Sequence, residues 1–359
     1  MSDALQSELQ ARLSALVDPH TGQPFAEQIR LSLRGDRAAV RVQLSYPAAG
    51  WHAALVEMIE GALCHDGQVS AVTVEIDTEL VAHAVQDGLS PLPGVGNVIA
   101  VASGKGGVGK STVAANLALA LQAEGARVGV LDADIYGPSQ PRMLGLEGKP
   151  QTTPDRRILP MRAHGLQVMS IGVLVQVDQA MIWRGPMATQ ALQQMVSETQ
   201  WSDLDYLIVD LPPGTGDIQL TLAQRIPVAG AVTVTTPQDV AVDDVRRSVA
   251  MFNKVRVPVL GLIENMSTHV CSNCGHEEAI FGRGGGQRMA EEAGLSLLGE
   301  IPLDAGLGRS TDTGAPIVAA DPEHPVAQRF RDIARRVGAR LSLQARNQTI
   351  RMPKIRIVE

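Results

Sequence analysis

The sequence predicts an α/β fold, a mainly parallel sheet flanked by helices, preceded by a small α+β domain. Three observations carry that prediction. Continuously apolar strand candidates recur from residue 97 onward with helix-forming stretches between them, as strands covered on both faces require. A glycine-rich loop joins the first of these strands to its helix. Residues 1–86 show instead the alternating pattern of half-buried strands between amphipathic helices.

In chain order, Leu5, Leu9, Leu13 and Leu16 recur at helical spacing, and Asp18-Pro-His-Thr-Gly22 is a turn cluster. Val40, Val42 and Leu44 alternate with Arg41, Gln43 and Ser45, predicting a strand with one buried face. Leu55, Met58, Ile59 and Leu63 predict a second helix, and Val72, Val74 and Ile76 a further strand. Cys64 at that helix's end reads as a packed small residue. Residues 87–96 are rich in Pro and Gly without periodicity and are read as a linker. The larger domain then spans 97–345, with strands predicted at Val98–Ala102, Val128–Leu131, Tyr206–Val209, Ala231–Thr235, Val259–Ile263 and Leu297–Ile301. Phe330, Ile333, Ala334, Val337 and Leu341 give a final amphipathic helix, with Arg335, Arg336 and Arg340 off its apolar stripe. Residues 346–359 form a C-terminal tail.

Composition narrows the functional classes. With 45% apolar residues in 359, two domains with sizeable cores are available. Aromatic residues make up 3%, too few for a base-stacking platform, and the net charge of −7 disfavours a polyanion-binding surface. Nucleic acid is therefore not an expected partner, although Arg329–Glu359 carries nine Lys/Arg against Asp332 and Glu359. No run approaches the roughly 18 apolar residues of a membrane span, and the N-terminus has no signal-peptide pattern. An odd count of three cysteines, two of them close together, points to metal or redox chemistry in a reducing compartment, hence the cytoplasm.

The stretch Gly104-Lys-Gly-Gly-Val-Gly-Lys-Ser-Thr112 matches G-x-x-x-x-G-K-S/T between a strand and a helix, the setting in which this motif cradles phosphate. Gly104, Gly106, Gly107 and Gly109 allow backbone N–H groups, with those of Lys105 and Val108, to approach a polyphosphate at a helix N-terminus. Lys110 is positioned for the β and γ phosphates, Ser111 for Mg2+, and Thr112 continues the loop. Asp210 ends the apolar run Leu207-Ile-Val-Asp210 and is the second magnesium-organising carboxylate. The loop after it, Leu211–Asp217, suits a γ-phosphate sensor. Asp132 and Asp134 share a face at the end of the next strand, the first for a water-mediated Mg2+ contact and the second for positioning attacking water. Lys105 is redundant for phosphate binding in cis and suits a charge delivered to a neighbouring subunit's nucleotide. With that early lysine, the loop resembles the deviant P-loop of the MinD/ParA/NifH ATPases, which implies a homodimer sandwiching two ATP molecules.

Cys271-Ser-Asn-Cys274-Gly275 is a C-x-x-C-G knuckle flanked by His269 and His276. Its spacing lets two thiolates bind one metal centre from a tight turn. Two cysteines are half a tetrahedral set, and three completions are open: a symmetric dimer, a mononuclear zinc using the histidines, or a redox dithiol. Across residues 95–340, further segments occur in order: Trp183-Arg-Gly-Pro-Met187, Asp205-Tyr-Leu-Ile-Val-Asp-Leu-Pro-Pro-Gly-Thr-Gly-Asp217, Thr235-Thr-Pro-Gln-Asp239, Gly261-Leu-Ile-Glu-Asn-Met-Ser267 and Ile280-Phe-Gly-Arg-Gly-Gly285. Together with the knuckle they resemble the Mrp/ApbC iron–sulfur carrier family. That resemblance implies a slow ATP hydrolase in which Cys271 and Cys274 of two subunits hold a bridging 4Fe-4S cluster. It further implies that the cluster comes from an assembly scaffold and passes to apo iron–sulfur proteins. It also implies that Asn265 recognises adenine, with Pro302 and Asp304 near the base. The first domain is similar to the SufT-like iron–sulfur-assembly unit, though its Tyr46-Pro-Ala-Ala-Gly-Trp51 segment holds no cysteine. Two other readings remain at this stage: a MinD- or ParA-like spatial organiser using the basic C-terminal region, and an ATPase with a structural zinc.

Overall fold

The computed structural model describes residues 2–64, 67–174, 185–271 and 273–347. At the N-terminus, α1 (Ser2–Ser14) precedes a hairpin of β1 (Ile29–Arg34) and β2 (Arg37–Leu44), and α2 (His52–Cys64) crosses over to β3 (Ala71–Thr78). The sheet order is β1-β2-β3, the first pair antiparallel and the second parallel. Residues along β2 alternate between exposed and buried. Val40, Val42 and Leu44 thereby meet Leu9, Leu13, Leu55, Ile59 and Leu63 in one core. β1, unanticipated from sequence, adds Ile29 and Leu31 to that core. Cys64, expected to be packed, is exposed. Leu55, Ile59 and Leu63 already complete the buried stripe of α2, and Cys64 falls one position beyond it.

The larger part begins with β4 (Val95–Ser103), α3 (Lys110–Ala123), β5 (Val128–Asp132), α4 (Gln140–Met143), β6 (Met161–Ala163) and β7 (Leu166–Ser170). It continues with α5 (Gly185–Glu198), β8 (Leu204–Asp210), α6 (Asp217–Arg225), β9 (Gly230–Thr235), α7 (Asp239–Lys254), β10 (Val259–Val270) and β11 (Glu277–Glu278). The last elements are α8 (Gly285–Ala293), β12 (Leu297–Leu303), α9 (Ala305–Asp312), α10 (Ile317–Ala320) and α11 (Pro325–Ser342). Strands β12, β10, β9, β4, β8, β5 and β7 run parallel, while β6 and β11 are short antiparallel additions to β7 and β10. All six strands predicted in this region are present.

Their unbroken apolar character follows from two-sided burial. In β4, Ile99 and Val101 pack with α3 and α11, whereas Val98, Ala100 and Ala102 pack with α5, α6 and α7 residues such as Leu192, Leu222 and Phe252. Because the strands are parallel, the loops after β4, β5, β8, β9 and β10 all leave from one edge, where α/β sheets place their ligands.

The two parts meet along α11 and the end of α3. Residues 82–84 pair with 345–347, Ala84 N–H donating to Ala345 O at 2.8 Å and Asn347 N–H to Ala82 O at 3.0 Å. Ala339 of α11 belongs to the N-terminal core. A Cβ on Gly338 would come within 3.0 Å of Pro47, so glycine permits this close approach. Arg336 is exposed as expected, but Arg335 is buried because the N-terminal part covers that side of α11. Its guanidinium donates to Glu124, which caps the end of α3, at 2.8 Å. The Glu124 carboxylate also accepts from Arg331 at 2.7 Å and from the Gly50 N–H at 2.8 Å. Glu124→Ala would strand Arg335 as a buried charge, held only by Asp332. We expect it to lower unfolding stability by about 3 kcal/mol, measured by urea denaturation. An unchanged midpoint would contradict this account of the joint.

Candidate functional site

The glycine-rich loop runs from the end of β4 into α3. Gly107 and Gly109 adopt φ of +81° and +79°, left-handed values that glycine tolerates and that turn the chain into the first helical turn. A Cβ on Gly109 would stand 2.2 Å from Asn265 Nδ2, and one on Gly104 2.3 Å from the Asp244 backbone. The loop is thus walled by β10 on one side and α7 on the other. The loop after β8 is tied to it as well, since Gly214 N–H donates to Ser103 O at 3.0 Å.

Asp132 and Asp210 are register partners at the ends of neighbouring strands, and both are fully buried. Burial, and then the adjacent Asp210 charge, push the Asp132 carboxyl above the usual carboxylate range. Hydrogen bonds from Gln140 N–H, Ser170 Oγ and Asp134 N–H act in the opposite direction at 3.1, 3.0 and 3.2 Å. Lys110, itself buried, forms an ion pair with Asp210 and donates to Ser111 Oγ at 3.2 Å. The second Asp210 oxygen accepts from Gln140 Nε2 at 2.9 Å. The buried Asp132 and Asp210, with the half-buried Ser111, therefore offer hard oxygen donors balanced by one ammonium. This chemistry suits Mg2+, with the Lys110 ammonium standing where cationic charge is required.

Asp134 is buried beside them, its carboxyl raised chiefly by burial and accepting from Gly137 N–H at 3.2 Å. Lys105 is half-buried, and among the described residues no carboxylate lies within ion-pair distance of it. Asn265, buried in β10, donates from Nδ2 to Val108 O of the loop at 2.8 Å. It is the register partner of Ile301 in β12, which brings Pro302 and Asp304 to the neighbouring strand end. Asp304 caps α9, accepting from Leu307 N–H at 2.9 Å.

The cysteine knuckle tips the hairpin between β10 and β11. Cys271 N–H donates to His276 O at 2.9 Å and Gly275 N–H to Cys271 O at 2.8 Å, with Gly275 at φ +71°. The backbone N–H groups of Asn273 and Cys274 aim at the Cys271 sulfur and hold its thiol below the ordinary value. Cys274 is exposed. His269 contacts Leu303 O at 3.4 Å, and His276 faces solvent. Among the described residues no three His, Cys, Asp or Glu side chains converge on a metal position. Among the described residues the knuckle thus offers two thiols and no third ligand beside them.

Sequence reasoning did not reach Gln140, Ser170 or Glu264. Glu264 is buried in β10 and accepts from Gly286 N–H at 2.5 Å, joining that strand to α8. The only sequence signal for Gln140 is its place in the Gly-Pro-Ser-Gln turn after the acidic pair. Trp183 and Arg184, in one of the ordered segments, lie outside the described residues. No helix among the described residues is long and apolar enough to cross a membrane.

A family profile described as ParA, the NUBPL iron-transfer P-loop NTPase, matches residues 94–338. An iron-sulfur cluster carrier protein of Salmonella typhimurium is 60% identical over 252 residues, 70% of this chain and 68% of the relative. One of Escherichia coli K12 is 52% identical over 309 residues, 85% and 84% of the two chains. A nucleotide-binding protein from Archaeoglobus fulgidus, solved with ADP, is 38% identical with a TM-score of 0.57, covering 66% of this chain and 92% of its own. The cell division ATPase MinD of Pyrococcus furiosus shares the fold at a TM-score of 0.52 and 21% identity, over 67% and 98% of the chains.

Proposed function

Because the chain belongs to the NUBPL iron-transfer family of ParA-type P-loop NTPases, we propose that it is an ATP-dependent carrier whose cargo is a 4Fe-4S cluster. Two copies hold the cluster between their Cys271/Cys274 pairs and pass it to apo-proteins. One observation carries this reading. The knuckle supplies two thiols, one of them predisposed to ionise, with no third ligand among the described residues. It also extends from β10, the strand whose Asn265 holds the phosphate loop.

The same edge of the sheet supports a second copy. Tyr136 after β5, Val240 at the start of α7, Val270 at the end of β10 and Ile280 after β11 are exposed large hydrophobic side chains. Such residues on the phosphate-loop edge suit a face that another subunit covers.

In the nucleotide cycle, loop N–H groups and the α3 N-terminus receive the phosphates, and Lys110 leaves Asp210 for them. Ser111, Asp132 and Asp210 would hold Mg2+, which would supply charge neutralisation on the transferring phosphoryl group. Asp134 orients water, and Lys105 reaches the partner's nucleotide. The loop tied to Ser103 and the Asn265 contact then carry the phosphate state toward the knuckle, coupling hydrolysis to loading or release in a cytoplasmic setting.

Lys105→Ala tests the two-subunit element of this scheme. ATP binding should stay within a few-fold of the parent while hydrolysis falls by roughly 10³-fold, the scale of a trans-acting cationic finger. Equilibrium nucleotide titration beside steady-state phosphate release measures both. Full hydrolysis by the variant would show that no charge crosses between subunits.

A further inference from the structure

Gln140 is fully buried within the acidic cluster, and its functional groups reach three parts of it. Its Nε2 donates to Asp210 Oδ2 at 2.9 Å and to Ser111 O in the first turn of α3 at 3.0 Å. Its backbone N–H donates to Asp132 Oδ2 at 3.1 Å. The remaining polar atom, Oε1, is buried with no hydrogen-bond partner among the described residues. An unpaired buried acceptor is costly, and in a native protein such an atom calls for an explanation.

From this arrangement we infer that Gln140 is a positioning residue for the cation, holding both carboxylates in one geometry for Mg2+-nucleotide. The inference rests on the nucleotide reading of the site given above and deepens it. Asp210 has Lys110 on one oxygen and Gln140 on the other. When phosphate draws Lys110 away, only Gln140 still fixes the rotation of that carboxylate among the contacts seen here. The backbone N–H of the same residue keeps Asp132 turned toward the strand end. Oε1 is then the buried acceptor able to take a hydrogen bond from a hydrated cation, and the occupied state satisfies the atom that is otherwise stranded. A packing role alone would be met by an apolar side chain of similar length.

The test uses the full chain with ADP as the probe, in EDTA and across a Mg2+ titration. In the parent protein, Mg2+ should tighten ADP binding. In Gln140→Met, which keeps the length and removes the amide, ADP affinity in EDTA should stay within about twofold of the parent. The Mg2+ concentration for half-maximal tightening should rise roughly tenfold, the scale of one hydrogen bond to a charged group. An unchanged Mg2+ midpoint in the variant, beside a normal parental response, would overturn the inference and leave the nucleotide reading intact. A parallel loss of affinity with and without Mg2+ would reduce Gln140 to a packing residue and also overturn it. A parent that binds ADP with no response to Mg2+ would overturn the inference together with the Mg2+-nucleotide reading beneath it.

Discussion

Cys271→Ser should leave the protein unable to retain iron and sulfide while nucleotide binding stays near the parental level. The expectation rests on charge. Iron–sulfur clusters are held by thiolates, and the knuckle stabilises that form by pointing the Asn273 and Cys274 N–H groups at the Cys271 sulfur. A serine hydroxyl in the same cradle remains protonated near neutral pH and offers iron a poor ligand. Cys274→Ser should behave alike, because Cys274 completes the pair. The knuckle is a surface hairpin tip outside the buried clusters, so neither change should disturb the fold. Anaerobic reconstitution followed by iron and sulfide analysis, with the visible charge-transfer band as a second readout, measures the loss. Retention of the full band in both variants would remove these residues from the cluster.

Lys110→Ala carries the other large effect, and it acts in two ways. Hydrolysis should fall by roughly 10³-fold or more, because the ammonium that stabilises phosphoryl charge is gone. Stability of the nucleotide-free protein should also fall, by about 3 kcal/mol, because Asp210 keeps its burial and loses its ion-pair partner. Adding Asp210→Asn separates the two effects. The double variant should recover part of the lost stability, since Asp132 is then the one carboxylate of the strand-end pair still buried, yet it should not recover hydrolysis. Calorimetry and phosphate release on the single and double variants check this. Recovery of activity in the double variant would contradict the role given to Lys110.

The parts of the fold that were legible in the sequence are those set by two-sided burial. A run such as Val98–Ala102 must be apolar throughout when helices cover both faces, so the parallel strands announced themselves. β6, β7 and β11 did not. β6 spans three residues and β11 is two exposed glutamates whose pairing depends on the knuckle turn, while in β7 Gln167 and Ser170 interrupt the apolar run. Arg335 shows a similar limit: helical periodicity placed it outward, and only the docked N-terminal part, with Glu124 brought from another helix, makes that position buried. Within the site, the place of Gly104 to Ser111 at a strand-to-helix turn and of Asp132 and Asp210 at strand ends was readable from motif spacing and the apolar runs before them. Gln140 was not, because its importance comes from three contacts with residues 8, 29 and 70 positions away. Asn265 reads as a loop-end residue in sequence, and its hold on Val108 appears only when β10 is laid beside the phosphate loop.

Two half-sites joined under nucleotide control are the core of this account, and metal stoichiometry by assembly state tests it most directly. Anaerobically isolated protein, resolved into monomer and dimer with and without ATP, should carry about four iron and four sulfide per dimer and none on the monomer. Serine at both knuckle positions should abolish that content. Stoichiometric zinc without sulfide, or a full iron complement on the monomer, would contradict it.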